Sequence, residues 1–361
     1  MSKQTKPCTK EACAKKTSIG GQALIEGIMM RGPKKSAMAV RNPEGEIVLE
    51  QWETTLSKRP KITKLPIIRG VFGFIDSMTA GYKCLMRSAE IAGLEEAVNE
   101  ATSKPEQKTE SETTPKTETE ASEAAAEKPE ETPKKESSVL MGVIMAIAGV
   151  LGVLLAVALF IMLPTFIYKW CSGAMPFLAP ENPAAKSLIK SVFEGVLKII
   201  VLVLYMLLVT LMKDIRRTFQ YHGAEHKTIF CYEHGMELTV ENVRRERRFH
   251  PRCGTSFLVL MLLVGMFISF FIDPISIWLT GAVPPALPRA LLKLILLPLT
   301  MGVGYELIKL AGRHDNLFTR IISAPGMWLQ RITVLEPDDG MIECAITAFK
   351  EVIPEDESDN Y

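Results

Sequence analysis

The stretch VLMGVIMAIAGVLGVLLAVALFIML, Val139 to Leu163, carries no charged residue. It exceeds the roughly 20 apolar residues a helix needs to cross the hydrocarbon core of a bilayer, so it reads as a transmembrane helix. Val192 to Met212 is a second span, with Glu194 and Lys198 spaced i,i+4 near one end, where they either pair or reach the interface. Phe257 to Ile272 is a third, ended by Asp273-Pro274, and Ala290 to Leu310 is a fourth, with Lys293 and Lys309 near its ends. The alternative for the last region is a re-entrant hairpin after Pro274, because Pro284, Pro285, Pro288 and Pro298 interrupt helical regularity. The 47% apolar content of the 361-residue chain agrees with the bilayer being part of its solvent.

The fold class expected is a mainly α-helical polytopic membrane protein with about four transmembrane helices and a small N-terminal α+β cytoplasmic module. Its orientation follows from the basic residues in the short loops. The connection after the second span, residues 213–255, holds Lys213, Arg216, Arg217, Lys227, Arg244, Arg245, Arg247, Arg248 and Arg252, and should face the cytoplasm. The other connections are poorer in lysine and arginine, so both termini are expected there too, in a multi-pass protein of the bacterial cytoplasmic membrane. Met1 to Lys16 is polar and has no apolar core, so no secretory signal is expected. Seven cysteines without a Cys-x-x-Cys pair argue against a disulfide framework. A net charge of +1 without basic and aromatic interleaving gives no footprint for nucleic acid.

Four segments result: an N-terminal cytoplasmic module over 1–98, a linker over 99–137, a four-span membrane domain over 138–315 and a cytoplasmic segment over 316–361. The linker is rich in Glu, Lys, Thr, Ala and Pro and has too little apolar surface to offset the entropy of ordering. In the first module, Ser36 to Val40 and Ile47 to Trp52 flank a Pro and Gly turn, the pattern of a hairpin. Ile68, Phe72, Ile75 and Thr79 recur at helical spacing; the helix should pack on the β element rather than lie on the membrane, because its polar face lacks lysines. The glycine-rich run Gly20 to Pro33 lacks the lysine of a phosphate loop and reads as turns; Glu26 in it either pairs with Arg31 or reaches a polar layer. Near the C-terminus, Asp338 or Asp339 caps a helix whose Ile342, Ile346, Phe349 and Val352 form one stripe.

The chemistry-bearing segment is His222-Gly-Ala-Glu-His226. On a helix, H-x-x-E-H sets two imidazoles one turn apart with a carboxylate beside them, the layout of an inverted zincin site. Two neutral imidazoles then share a divalent metal, zinc by preference, and Glu225 is placed as general base. Catalytic zinc keeps three protein ligands, so one more must come from elsewhere. Glu306 ranks first and Cys253 second. His250, His314 and Asp315 are further candidates, expected in the same cytoplasmic layer. The alternative is an interfacial polar cluster without metal, since a motif with three fixed positions recurs by chance. Gly223 inside the motif weakens the helix by up to about 1 kcal/mol relative to alanine. The cluster Arg244 to Arg248 is either a solvated face, a contact for anionic lipid headgroups or a surface for a substrate or partner.

Taken together, Gly20 to Pro33, Tyr221 to Ile229, His250-Pro-Arg-Cys-Gly-Thr-Ser256 and Arg313-His-Asp-Asn316 resemble the YqhQ-like family of bacterial membrane proteins, a domain of unknown function. The resemblance covers nearly all of the chain except the linker, and it implies a metal-dependent enzyme. The functional expectation is a membrane metal-dependent hydrolase; the alternative is a non-catalytic factor for membrane-protein assembly or membrane homeostasis. A transporter ranks behind both, because apart from Asp273 the runs hold few ionisable residues away from their ends.

Overall fold

The computed structural model describes residues 16–54, 63, 65–93, 147–314, 316–356 and 358–359. The linker, Cys8, Cys13, Asp315 and the first part of the opening apolar run lie outside the described residues.

Four strands, β1 (Gly20–Leu24), β2 (Gly27–Arg31), β3 (Lys35–Arg41) and β4 (Ile47–Glu53), form an antiparallel meander in that order. The β3–β4 pair is the expected hairpin, with Ala39 opposite Leu49 and Gly45 at φ 90° in the connection. Gly20 to Pro33 is not a set of turns; it is largely the β1–β2 hairpin, with the single reversal at Ile25 and Glu26. The run Gly27-Ile-Met-Met30 is apolar without alternation because both sheet faces are covered. On one face Ile28, Met30, Ala37 and Ala39 pack against helices from far along the chain; on the other, Leu24, Met29, Met38 and Val40 pack with Cys84.

Cys84 belongs to α1 (Ile68–Ile91), which packs on the sheet and also on the last apolar helix, where Gly70 meets Tyr305, but not through the expected stripe: Gly70, Gly81, Cys84 and Ser88 are buried, while Phe72, Ile75 and Thr79 are exposed. The other sheet face is covered by α4 (Lys213–Glu233) and α10 (Asp339–Lys350), through Tyr221, Ala224, Ile229, Ile342, Ala345 and Phe349. Asp338 caps α10 by accepting from the Met341 amide. Glu26 does not pair with Arg31; it reaches α4, where Arg217 and the Tyr221 hydroxyl donate to it.

Among the described residues, three helices are long and apolar enough to cross a membrane: α2 (Ile147–Ala174), α3 (Pro183–Val209) and α6 (Gly254–Thr280). Pro288–Ile295 and Leu297–Arg313, bent by 41°, are together long and apolar enough for a broken fourth span or for the re-entrant alternative; the two pieces belong to α7 (Ala286–Ile295) and α8 (Leu297–Arg313). Pro298 explains the break, since it cannot donate a backbone hydrogen bond in that turn. Two sequence expectations change here. The helix of the third run does not stop at Asp273-Pro274 but continues through Pro274 to Thr280. Nor does the second begin near Glu194: Asn182 caps it through the Ala184 and Ala185 amides with Pro183 in the first turn, so Glu194 and Lys198 fall well inside it.

The second apolar helix also does not run on past Met212. α3 ends at Val209 and α4 starts afresh at Lys213 with Asp214 in its first turn. A short helix α5 (Val240–Arg245) follows, and α9 (Leu317–Thr333), started by a capping box at Asn316 and Thr319, packs along α6. The start of α6 lies beside α4, and the end of α8 reaches the sheet layer, where Lys16 donates to the Gly312 carbonyl at 3.0 Å. Both ends therefore sit beneath the apolar helices on the side of the sheet.

Candidate metal centre

α4 carries His222 and His226 one turn apart, with ring centroids 4.5 Å from each other. α6 begins at Cys253, whose Sγ lies 3.1 Å from His222 Nε2. The ligand atoms of His222, His226 and Cys253 all fall within 4.8 Å of one another, and the last two are buried. Each imidazole is oriented from behind: Nδ1 of His222 donates to the Thr333 carbonyl at 3.0 Å, and Nδ1 of His226 to the Arg248 carbonyl. Those bonds fix the tautomers so that both Nε2 atoms are left for an ion, the arrangement in which metal-binding histidines are usually held. The donor set therefore fits zinc, which takes two imidazoles and a thiolate readily.

Charge in the group follows from its burial. Burial opposes a charged His222, yet the neighbouring Cys253 sulfur outweighs it through charge and hydrogen bond, holding the ring at about 9. Burial likewise opposes a Cys253 thiolate, but His222 and His226 pull its pKa well below the usual thiol range. Each member of the pair therefore favours the charged form of the other.

Glu225 is 5% exposed, and its pKa is raised by burial against the pull of His222 and His226. Its Oε1 accepts from the Gly21 amide of β1 at 3.0 Å. A Cβ at Gly21 would come to 2.9 Å from the Glu225 carboxyl carbon, so glycine is what lets the strand reach this carboxylate. Gly223 has a similar reason: a Cβ there would stand 1.9 Å from the Leu335 carbonyl oxygen. Its cost in helix propensity is offset by close packing of the chain after α9.

Among the described residues, Glu306, ranked first as third ligand, is not among the ligand atoms gathered at the histidine pair. Glu306 lies on α8 and is held by Arg69 of α1, whose Nε donates to it at 2.7 Å and whose guanidinium neutralises it. Cys253, ranked second, is the residue brought to the pair. His250 lies next to the group, 5.6 Å from His226 between ring centroids, but its ring nitrogens face Arg252 and Glu233. Burial lowers its pKa to about 4, so it is neutral near pH 7. His314 is exposed at the end of α8 and Asp315 lies outside the described residues. The basic cluster is already partnered: Arg244 by Asp339, Arg245 by Glu241 and Arg248 by Glu336, with Arg247 over the Phe230 ring at 4.6 Å.

Several supporting groups were not read from the sequence. Gln330, fully buried on α9, accepts from the His250 amide and donates to the His250 carbonyl, each at 2.8 Å, and so fixes the loop before Cys253. Glu233, held below the usual carboxylate range by His250 and Arg252 against its burial, also takes the Thr17 amide. Their partners lie 80 and 216 positions away, and no local pattern announces such pairs.

Fold and site together define a class: a largely helical protein with apolar helices of membrane-crossing length above a buried His–His–Cys group. The chain belongs to the DUF1385 family, whose model, for a protein of unknown function, matches residues 65–355. It is 30% identical over 340 residues to the uncharacterized protein YqhQ of Bacillus subtilis (strain 168), covering 93% of this chain and 92% of that one. No solved structure matches.

Proposed function

We propose that this chain is a multi-pass protein of the bacterial cytoplasmic membrane that binds zinc through His222, His226 and Cys253 and uses it for hydrolysis, with Glu225 as general base. The carrying observation is the convergence of three ligand atoms within 4.8 Å, both histidines held from behind by backbone carbonyls. The apolar lengths of α2, α3, α6 and the bent α7–α8 pair support the membrane reading. The basic loop between α3 and α6 supports a cytoplasmic site with both termini on that side.

A bound zinc supplies Lewis acidity toward water and toward a carbonyl or phosphoryl oxygen. Glu225 would accept a proton from water and pass it to the leaving group, and burial raises its pKa in the direction that makes it a stronger base. The Gly21 amide orients its carboxylate. Burial favours a second reading, a structural ion that ties α4 to α6 without catalysis, since Cys253 is 5% and His226 2% exposed.

Metal analysis of the purified protein tests both. Stoichiometric zinc, lost in His226→Ala, is expected; no metal in the wild type would sink the site. Glu225→Gln should keep the zinc. If it also keeps wild-type function in cells lacking the native copy, the structural ion is correct and hydrolysis is not.

A further inference from the structure

A half-enclosed cavity of about 490 Å³ lies among α3, α6, α7 and α8. Most of its wall is apolar, including Leu202, Met261, Leu262 and Met266. Its polar end is formed by Ser191, Glu194, Lys198 and Lys293. None of these belongs to the candidate metal centre.

The polar end is deep. Lys198 is the sixteenth residue of the 27-residue α3, which at a rise of about 1.5 Å per residue puts it near the helix middle. Ionisable groups at that depth are costly and face a functional interior. Their charges do not balance locally. Glu194 is shared between Lys190 at 3.8 Å and Lys293 at 4.0 Å, and Thr165 donates to it at 3.2 Å. Lys198 makes no direct ion pair among the described residues. Nearby, Arg289 and Asp273 pair with each other at 3.0 Å and so leave this excess unchanged. Two lining lysines, Lys198 and Lys293, thus face one carboxylate that Lys190 also shares, at the polar end of an apolar chamber.

We infer that this cavity binds an anionic single-chain lipid, its head held by Lys198 and Lys293 and its acyl chain among Leu202, Met261, Leu262 and Met266. Charge complementarity selects the head and the apolar wall selects the tail. The volume falls within the roughly 300–1,000 Å³ of small-molecule sites. The inference rests on the membrane reading but is independent of the metal centre.

The test is photolabelling of the full chain in membrane vesicles with a diazirine-bearing fatty acid, compared with the fatty alcohol of the same chain. The acid should label α3 and α6 peptides about tenfold more than the alcohol, the difference one charge-assisted contact makes. Lys198→Gln should remove that preference. Gly265→Val, which places a side chain in the cavity wall, should reduce labelling by both probes. Competition by lysophosphatidic acid but not by inorganic phosphate would support an amphiphile. Equal labelling by acid and alcohol in the wild type, which needs no variant, overturns the inference, and so does competition by inorganic phosphate alone. Recovery of the chain without detergent in the soluble fraction overturns the membrane reading instead, and this inference with it.

Discussion

Cys253 and His222 share one proton's worth of charge, and that fixes how a metal must enter. Because His222 is held at about 9 and the Cys253 thiol is pulled down beside it, zinc must displace a proton from the pair at neutral pH. His222 has a raised pKa, so its charged form persists below about 9 and competes with the ion as pH falls. We expect zinc uptake at pH 7.5 to release about one proton per site and affinity to fall towards pH 6. Calorimetry in two buffers of different ionisation enthalpy reads the proton count; no buffer dependence would contradict a proton held by the pair. At this scale the sequence was partly legible. His222, Glu225 and His226 stand in one local motif, so helical periodicity alone aligned them. The choice between Glu306 and Cys253 was not legible, because it turned on Arg69, a partner 237 positions away.

At the scale of elements, the join between α4 and the strand-like exit from α9 decides whether the histidines stay in place. The Leu335 amide donates to the Phe219 carbonyl, and the Leu335 carbonyl stands where a Cβ of residue 223 would be. Gly223→Ala gains helix propensity of about 1 kcal/mol but forces backbone apart in a packed core, an overpacking cost of about 1–3 kcal/mol. We expect net destabilisation and weaker zinc retention, measured by thermal unfolding in mild detergent and metal content. A variant more stable than wild type would show that the contact yields freely. From the motif alone Gly223 looks like a flaw in the helix; only the partner chain shows why it is tolerated. The bent α7–α8 pair and the passage of α6 through Pro274 have the same character. Proline marks a lost hydrogen bond in sequence, and neighbouring helices determine whether the helix breaks there.

Across the whole molecule, the sheet, α4, α5 and α10 form one layer with the start of α6 and the end of α8. If that layer is cytoplasmic, a cysteine replacing exposed Arg245 should resist an impermeant maleimide applied to intact cells, whereas one at Gly281, past the far end of α6, should react. The reverse pattern would invert the topology. Sequence by itself determined the apolar helices, the β3–β4 hairpin, the apolar stripe of α10 and the His–Glu–His face, because each depends on periodicity or composition within one segment. Only the tertiary structure decided that β1 supplies an amide to Glu225, that Cys253 completes the histidine pair, and that Glu194 and Lys198 face a mid-helix cavity. Those outcomes depend on which distant surfaces are buried together, and burial sets both the proximity of the groups and the cost of leaving their charges unpaired.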